Sequence, residues 1–182
     1  MIFIGVGTNL GERWQALSIA WRLLEEREVQ VITSSPIYET LPWGEVEQPL
    51  YLNAVWEVHT TLAPEVLLSV LQEVELRMGR PQGLRRRWGP RVIDLDLLAY
   101  GDIILTTARL TLPHPWIPHR PFVLGPWKDI TPYFYLPKWN ATVLQLWQSC
   151  CGAEWGYPVD PPANLPLPPI RLPMTPPVGL SC

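Results

Sequence analysis

The sequence predicts an α+β sandwich in which an antiparallel sheet carries helices on one face. Two observations predict this class. Apolar stretches with strand character and amphipathic stretches with helical periodicity follow one another in the order β-α-β-β-α-β. Hydrophobic residues make up 47% of the 182 residues and charged residues 17%, which is typical of a globular domain long enough to bury a core.

The first half of the chain supplies three strands and one helix. Residues 2–8, rich in Ile, Phe and Val, predict a short buried strand. Residues 9–27 predict a helix, because four apolar residues recur at helical spacing: Leu17, Ala20, Trp21 and Leu24. Residues 29–38 and 51–60 predict two further strands, and Pro36 disturbs the first of these near its end.

The second half of the chain completes the pattern. Pro64 suits the first turn of a helix that runs to about Met78, and residues 92–100 predict the next strand. This order of elements is the ferredoxin-like pattern, with both helices on one face of the sheet and the opposite face free for chemistry. Shorter helical pieces are expected near residues 120–129 and 142–151.

The C-terminal segment differs in composition. Nine of the 22 prolines lie between Pro158 and Pro177, a density that excludes a helix or a central strand and favours extended coil. We therefore divide the chain into one folded domain, residues 1–155, and a proline-rich tail, residues 156–182, that is extended or disordered. Truncation after Gly156 is expected to leave kcat within severalfold. Recognition of the tail by a proline-binding module is the minor alternative.

Charge and cysteine content exclude several classes of protein. The net charge of −3 gives no overall attraction to nucleic acid or anionic lipid. Met1 leads into the first strand without a signal-peptide pattern, and no apolar run approaches the roughly 20 residues that span a membrane. The three cysteines fit neither a disulfide framework nor a zinc site. We expect a cytoplasmic monomer that binds neither nucleic acid nor membranes.

The most informative motif is residues 87–98, in which a turn with two arginines leads into an apolar strand. Strand side chains alternate between faces, so Asp94 and Asp96 point the same way, about 7 Å apart along the strand. Two carboxylates on a rigid strand suit Mg²⁺ with substrate phosphates, and Arg87 and Arg91 suit the phosphates themselves. The alternative is a buried strand with two solvated acids at its edge.

Five arginines fall within twelve residues that contain no acid: Arg80, Arg85, Arg86, Arg87 and Arg91. So many uncompensated cations indicate an anionic partner. A polyphosphate bound with Mg²⁺ would use both the arginines and the aspartates, whereas the aspartates would repel bare nucleic acid. A solvated loop or a weak nucleic-acid patch is the alternative.

Two further groups are candidate ligand contacts. Tyr51 and Asn53 share one face of their strand, where an amide can bind the edge of a flat heterocycle while the ring stacks on it. A later proline-rich loop adds three candidate phosphate contacts: Arg109, His114 and Arg120. The histidines lack the spacing of metal ligands, so a zinc site is not expected.

Together these residues resemble the 6-hydroxymethyl-7,8-dihydropterin pyrophosphokinase family of folate biosynthesis. The resemblance extends from Ile2 to about Leu146, with several motifs in the same order. They are Gly7-Thr8-Asn9-Leu10-Gly11, Tyr38-Glu39-Thr40, Gln48-Pro49-Leu50-Tyr51-Leu52-Asn53-Ala54, Glu73-Val74-Glu75 with Gly79-Arg80, the long signature from Arg87 to Asp96, and Leu112-Pro113-His114.

The resemblance implies a ferredoxin-like fold and transfer of the intact diphosphoryl group of ATP to the pterin hydroxymethyl oxygen, with AMP leaving. It implies that Asp94 and Asp96 hold two Mg²⁺ ions and that Arg80 and Arg91 share in catalysis. The residues implied in ATP binding are Gln72, Arg87, Trp88, Arg91, Leu97, Arg109, Thr111, His114 and Arg120. Those implied in pterin binding are Thr40, Pro42, Trp43, Tyr51, Asn53, Trp88 and Phe122.

The chain departs from the family pattern in two places. The loop from Gly79 to Arg87 is one residue longer than usual, so which of Arg85 and Arg86 contacts ATP stays open. Pro115 follows the histidine of the last motif, where an aromatic residue can occur. The loops at residues 39–50 and 79–91 are candidate lids over the substrates.

Two other functions remain open. A non-enzymatic ferredoxin-like nucleic-acid-binding module would use the arginines of residues 80–91, expose aromatic residues on the sheet and need no aspartate pair. A metal-dependent sugar-nucleotide transferase would use Asp-x-Asp, but the chain is short for that class and lacks a nucleotide-binding βαβ series.

Overall fold

The computed structural model describes residues 1–42, 47–79, 91–150 and 155–172. Its strands are β1 (Ile2–Thr8), β2 (Gln30–Ser34), β3 (Ile37–Thr40), β4 (Tyr51–His59), β5 (Asp94–Tyr100), β6 (Leu105–Thr106), β7 (Thr111–Leu112), β8 (Tyr135–Leu136), β9 (Ala141–Thr142) and β10 (Gly156–Val159). Its helices are α1 (Arg13–Glu25), α2 (Pro64–Arg77), α3 (Pro121–Ile130) and α4 (Val143–Cys150), with 3-10 turns at Ile117–His119 and Pro137–Trp139. In these four ranges no helix is both long and apolar enough to cross a membrane.

Within the described residues, six strands form one antiparallel sheet. The main order of strands is β10, β3, β4, β1, β5. The remaining strand, β2, lies on the same side of β4 as β3: β3 pairs with the first half of β4, and β2 pairs with the second half of β4. Two small ribbons, β6 with β7 and β8 with β9, lie outside this sheet. The predicted combination of helices with an antiparallel sheet is thereby confirmed.

The strand predicted over residues 29–38 is two strands, separated at Ser35 and Pro36. Pro36 has no N–H to donate, so the ladder to β4 cannot continue through it. Ser35 maintains the connection instead, because its N–H donates to Val55 O and its Oγ accepts the Val55 N–H, both at 2.9 Å. The polypeptide therefore changes direction while staying attached to β4.

Different helices bury the two faces of the sheet. Alternation along β1 sends Ile4 into the core formed with α1 and α2, and Phe3 to the opposite face. There Phe3 and Val55 pack with Trp127 of α3 and with residues of α4. The two helices of the predicted pattern, α1 and α2, do share one face, but the expectation that the opposite face is free is wrong, because α3 and α4 cover its apolar side chains. The glycine-bearing end of β1 is the part left open.

Residues 155–172 run as an extended strap along the edge of the sheet. β10 pairs antiparallel with β3 and places Gly156 opposite Thr40. Farther along, the Arg171 N–H donates to Ser34 O at 2.8 Å. The boundary that the sequence suggested at residue 155 thus falls directly before a strand of the main sheet.

Candidate functional site

An open cleft of about 700 Å³ lies between the uncovered end of the sheet and the start of α3. This volume includes the solvent-filled mouth of the cleft. Eight residues predicted for the site line it: Thr40, Tyr51, Asn53, Arg91, Asp94, Asp96, Arg120 and Phe122. The structure therefore brings residues of both predicted substrate groups to one cleft.

Gly7 is the shared neighbour of the two groups. It pairs with Asn53 of β4 on one side and with Asp94 of β5 on the other, while Gly5 lies opposite Asp96. Because adjacent strands lie about 4.8 Å apart, the backbones of Asn53 and Asp94 are separated by about 10 Å. The glycine between them adds no side chain, so this gap is open to a ligand.

Each aspartate is paired with an arginine. Arg91 Nη1 lies 2.5 Å from Asp94 Oδ1, and Arg120 Nη1 lies 2.5 Å from Asp96 Oδ2. The aspartate side chains keep 26% and 31% of their surface exposed. The acids are therefore held in place by internal charges and remain within reach of a ligand.

The protonation states of this charged group follow from its burial and its neighbours. Burial alone would raise the pKa of Asp96, but the attraction and hydrogen bond of the Arg120 guanidinium, with further basic groups, outweigh it and lower this pKa. Burial lowers the pKa of His114 below its usual value, although Asp96 opposes the shift. At neutral pH the site thus contains a carboxylate at Asp96 and a neutral imidazole at His114.

Asn9 holds the segment that carries Arg91. Its side-chain oxygen accepts the Arg91 N–H at 2.7 Å, and its own backbone N–H donates to Arg91 O at 3.0 Å. Its amide nitrogen donates to Gln48 Oε1 at 3.3 Å and to Pro49 O at 3.1 Å. This buried asparagine ties the start of the aspartate segment to the loop that leads into Tyr51.

The other side of the cleft is neutral and more deeply buried. Asn53 is 7% exposed and Thr40 is 2% exposed. Asn53 Nδ2 donates to Thr40 Oγ1 at 2.7 Å, which fixes the plane of the amide. A Cβ on Gly7 would lie 2.8 Å from Asn53 Oδ1, so the amide uses the space that the glycine leaves. Burial raises the pKa of Tyr51, which keeps the phenol neutral.

Two predicted ATP contacts lie outside the cleft lining and meet each other on α2. Arg109 Nη2 donates to Ser69 Oγ at 3.1 Å and to Gln72 Oε1 at 3.3 Å. Thr111 lies nearby in sequence, in β7, opposite Thr106 of β6. Arg109 and Gln72 are thus brought together, and neither these two nor Thr111 lines the cleft beside Gly7.

Three other predicted residues are placed differently. The Leu97 side chain packs in the core with α1 and α2 and is 2% exposed, so a contact from it to a ligand would have to use backbone atoms. The His114 N–H donates to Leu98 O at 2.8 Å, and its ring interacts electrostatically with Asp96. Pro42 is the last described residue before a gap. The predictions for Trp43, Arg80, Arg87 and Trp88 lie outside the described residues, as do residues 43–46 of the first candidate lid and residues 80–90 of the second.

Sequence reasoning missed six residues that line the cleft: Gly5, Val6, Gly7, Leu41, Ala54 and Val123. A glycine inside a strand often marks close approach of another group, and this signal was present for β1. Nothing local indicated Val123, because α3 meets β1 only through the fold. Glu75 was also missed as a support: it is 5% exposed and its Oε1 accepts the Leu95 N–H at 2.9 Å, between the two aspartates.

The donor atoms of the cleft suit magnesium with phosphate better than zinc. Within the described ranges, no group of three or more His, Cys, Asp or Glu side chains converges on one point. Mg²⁺ needs only one or two carboxylates when phosphates and waters complete its shell. Among the described residues, Arg120 Nε is buried without a hydrogen-bond partner, and an anion bound nearby could accept its hydrogen bond.

Comparisons with known proteins agree with this chemistry. The family model described as 7,8-dihydro-6-hydroxymethylpterin-pyrophosphokinase (HPPK) matches residues 3–132. A Pseudomonas aeruginosa protein named 2-amino-4-hydroxy-6-hydroxymethyldihydropteridine pyrophosphokinase is 39% identical over 137 residues, which are 75% of this chain and 83% of that protein. A Synechocystis protein of the same name is 37% identical over 164 residues, 89% of this chain and 82% of that protein. The Synechocystis match covers 89% of this chain, whereas residues 1–155 make up only about 85% of the 182 residues, so the match includes part of the proline-rich segment.

Solved structures with similar folds are larger than this chain. Plasmodium falciparum HPPK-DHPS, as a triple mutant with STZ-DHP, has a TM-score of 0.65 at 16% identity, over 81% of this chain and 42% of that one. An HPPK-DHPS in complex with substrates has a TM-score of 0.61 at 15% identity, over the same shares. This chain spans less than half the length of those proteins, and at such identities the likeness concerns the fold alone.

Proposed function

This chain belongs to the 7,8-dihydro-6-hydroxymethylpterin-pyrophosphokinase family, and from this premise we propose that it transfers the diphosphoryl group of ATP to 6-hydroxymethyl-7,8-dihydropterin. The products are AMP and the pterin diphosphate, in a step of folate biosynthesis. One observation carries the proposal: a single cleft joins a neutral amide pocket at Asn53 to a charged group at Asp94 and Asp96, with Gly7 between them. The family match gives no support to the nucleic-acid-binding alternative.

The neutral side of the cleft binds the pterin in this proposal. A pterin presents a donor–acceptor edge, which an amide matches because it carries both an N–H donor and a carbonyl acceptor. The hydrogen bond to Thr40 leaves Asn53 one further N–H and its oxygen for this edge. The rings of Tyr51 and Phe122 line the cleft and would enclose the flat heterocycle. Pro42, Trp43 and Trp88 stay proposals carried over from the family.

The charged side holds the triphosphate with Mg²⁺. Asp94 and Asp96 would hold two Mg²⁺ ions, which neutralise phosphate charge and bring the reacting oxygens together. Arg91 and Arg120 would then move from the carboxylates toward phosphate oxygens, which guanidinium groups bind strongly. Further proposed ATP contacts come from the family pattern: Gln72, Arg80, Arg87, Trp88, Leu97, Arg109, Thr111 and His114.

The reaction needs positioning more than covalent help from the protein. The hydroxymethyl oxygen attacks the β-phosphorus of ATP, and the bond from that phosphorus to the α,β-bridging oxygen breaks, so this oxygen leaves with AMP. The hydroxyl proton passes to solvent, and we propose no dedicated general base. The chain's part is to hold the pterin over Gly7 with its hydroxymethyl group toward the aspartates.

Finer features of the fold and setting are also proposals. We propose the ferredoxin-like topology, with β2 and β3 together acting as one bent strand, which the sheet order supports. We propose a cytoplasmic protein whose small-molecule partners are ATP and the pterin. We also propose that it is a monomer, because one chain supplies both sides of the cleft. We further propose two units, residues 1–155 and the strap that begins at residue 156.

A product assay tests the proposed function. Purified protein with ATP, Mg²⁺ and 6-hydroxymethyl-7,8-dihydropterin should form AMP and pterin diphosphate in equal amounts. Formation of ADP would mean transfer of a single phosphoryl group and would contradict the proposal. The pterin should be required, because ATP hydrolysis without it would mean that water is the acceptor.

A further inference from the structure

The proline-rich tail, which the sequence alone marked as dispensable, contacts the wall of the pterin side of the cleft. β10 pairs with β3 in a register that places Gly156 opposite Thr40 and Tyr157 opposite Glu39. Thr40 is the residue whose hydroxyl accepts the hydrogen bond from Asn53. One strand of the tail is therefore the direct neighbour of the group that orients the amide.

Gly156 is packed tightly against this wall. A Cβ at this position would lie 2.6 Å from Glu39 O and 2.7 Å from Thr40 Cγ2. Carbon atoms do not approach each other or an oxygen so closely, so any side chain here must displace β3 or rotate Thr40. Gly156 lacks the positive φ that favours glycine, so close contact is the reason for glycine here.

A second contact extends from the tail toward Tyr51. The Tyr157 hydroxyl donates to Glu39 Oε2 at 2.5 Å, and Arg13 Nη1 lies 2.9 Å from Glu39 Oε1. The same Arg13 nitrogen donates to Leu50 O at 2.8 Å, directly before Tyr51. This chain of polar contacts connects the tail strand with the segment that presents the predicted stacking ring.

Trp155 fixes the start of the tail strand on the other side of β3. Its ring centroid lies 4.6 Å from that of Tyr38 and 5.3 Å from that of Trp147. Gly125 of α3 makes room for it, because a Cβ there would lie 2.1 Å from the Trp155 ring. The strand is therefore anchored between β3 and the helices that cover the second face.

We propose that residues 155–159 are a positioning element for pterin recognition: packing of Gly156 against Thr40 sets the orientation of the Asn53 amide. The identity of the substrate in this inference rests on the proposed function. The contact from Gly156 through Thr40 to Asn53 does not depend on that function. Thr40 and Asn53 touch the pterin in the proposal, whereas Gly156 and Tyr157 act only through them.

The decisive variant is Gly156→Ala, made in the full chain. It should raise KM for 6-hydroxymethyl-7,8-dihydropterin roughly tenfold, the scale expected when one hydrogen-bonding group is misplaced. KM for ATP should stay within about twofold, because the aspartate group lies beyond Gly7. An equal rise in both KM values, or a fall in kcat with unchanged KM, would show a merely structural role and overturn the proposal.

A spectroscopic measurement separates this inference from the proposed function. In NMR spectra recorded without substrate, Gly156→Ala should shift the side-chain amide signals of Asn53. An unshifted Asn53 amide would overturn the positioning role even if turnover changed. If the wild-type protein formed no AMP, the proposed function would fail, yet the amide shift would still test the contact through Thr40.

A milder pair of variants keeps the test valid if Gly156→Ala does not fold. Tyr157→Phe removes only the hydroxyl that donates to Glu39, and Tyr133→Phe removes one from a tyrosine that is 73% exposed. Tyr157→Phe should raise the pterin KM about twofold to threefold, in line with loss of a half-exposed hydrogen bond, and Tyr133→Phe should not. Equal KM values in the two variants would contradict the proposal.

Discussion

The two sides of the cleft are built on different physical principles. The side at Asp94 and Asp96 consists of two ion pairs whose acids are about 30% exposed. The side at Asn53 is a neutral hydrogen bond between residues that are at most 7% exposed. In the proposed function the charged side exchanges partners when a phosphate ligand arrives, whereas strand pairing and the hydrogen bond between Asn53 and Thr40 hold the neutral side in place beforehand. In that proposal, preorganisation is concentrated where a neutral heterocycle is recognised.

The difference follows from the energetics of the two kinds of ligand. A polyphosphate with Mg²⁺ brings enough charge to replace internal ion pairs, and those pairs keep the acids from unfavourable isolation before it binds. A pterin offers only neutral hydrogen bonds and ring contacts, so misplacement of one protein group costs much of its affinity. Mutations should accordingly separate into effects on the charged side and effects on the neutral side.

The largest effect is expected on the charged side from Asp96→Ala. Removal of this carboxylate leaves Arg120 without its partner and takes away one of the two proposed Mg²⁺ ligands. Turnover should fall on the order of a thousandfold, the scale of losing one electrostatic group at a reacting centre. Mg²⁺-dependent ATP binding, measured by calorimetry, should weaken as well. The control is Asp102→Ala, which removes an exposed acid just after β5. Near-normal turnover of the Asp96→Ala variant would refute the metal assignment.

On the neutral side, Asn53→Ala should weaken pterin binding roughly a hundredfold, because a buried edge-binding amide and its bond to Thr40 are both lost. ATP affinity should be nearly unchanged. Fluorescence titration of each ligand would measure the two affinities separately. A comparable loss of ATP affinity would show that the two sides are not independent.

The glycines between the two sides allow a finer comparison. Gly7→Ala places a methyl group 2.8 Å from Asn53 Oδ1 and should raise the pterin KM roughly tenfold by displacing the amide. Gly5→Ala meets only the flexible end of Leu98, at 3.3 Å, and should have a smaller effect. Steady-state kinetics with each substrate varied would rank the two variants. The reverse order would mean that the space beside Asn53 is not what limits binding.

The smallest effect concerns acid stability at the edge of the neutral side. The hydrogen bond from Tyr157, followed by the charge and hydrogen bond of Arg13, outweighs burial and lowers the pKa of Glu39 below its ordinary 4.5. The folded protein thus binds fewer protons here than the unfolded chain, so this stabilisation is present above about pH 4.5 and disappears as pH falls through the lower folded value. Urea unfolding midpoints of wild type and Glu39→Gln should converge on acidification. A constant difference between the two unfolding midpoints at every pH would show that ionised Glu39 does not stabilise the fold in this way.

Local patterns together with the family resemblance named eight of the residues that line the cleft. Asp94 and Asp96 share a face because strand side chains alternate, and the same rule groups Tyr51 with Asn53. Local patterns could not predict that the tail strand β10 pairs with β3, or that α3 and α4 bury the second face of the sheet. Both depend on which distant segment lies beside an edge strand or an apolar face, and proline-rich sequence does not specify its partner.

The sequence by itself determined β1, α1, β4, α2 and β5 to within a few residues, the facing of the aspartates, and the types of side chain that suit a phosphate and a flat heterocycle, since these follow from residue type and spacing along the chain. Only the tertiary structure decided that Gly7 separates Asn53 from Asp94, that α3 brings Arg120 to Asp96, and that Gly156 packs on Thr40. These contacts join residues that are far apart in the sequence, more than a hundred positions in the case of Thr40 and Gly156. Strand register and helix packing settle such relations, because they are fixed by burial of the whole core.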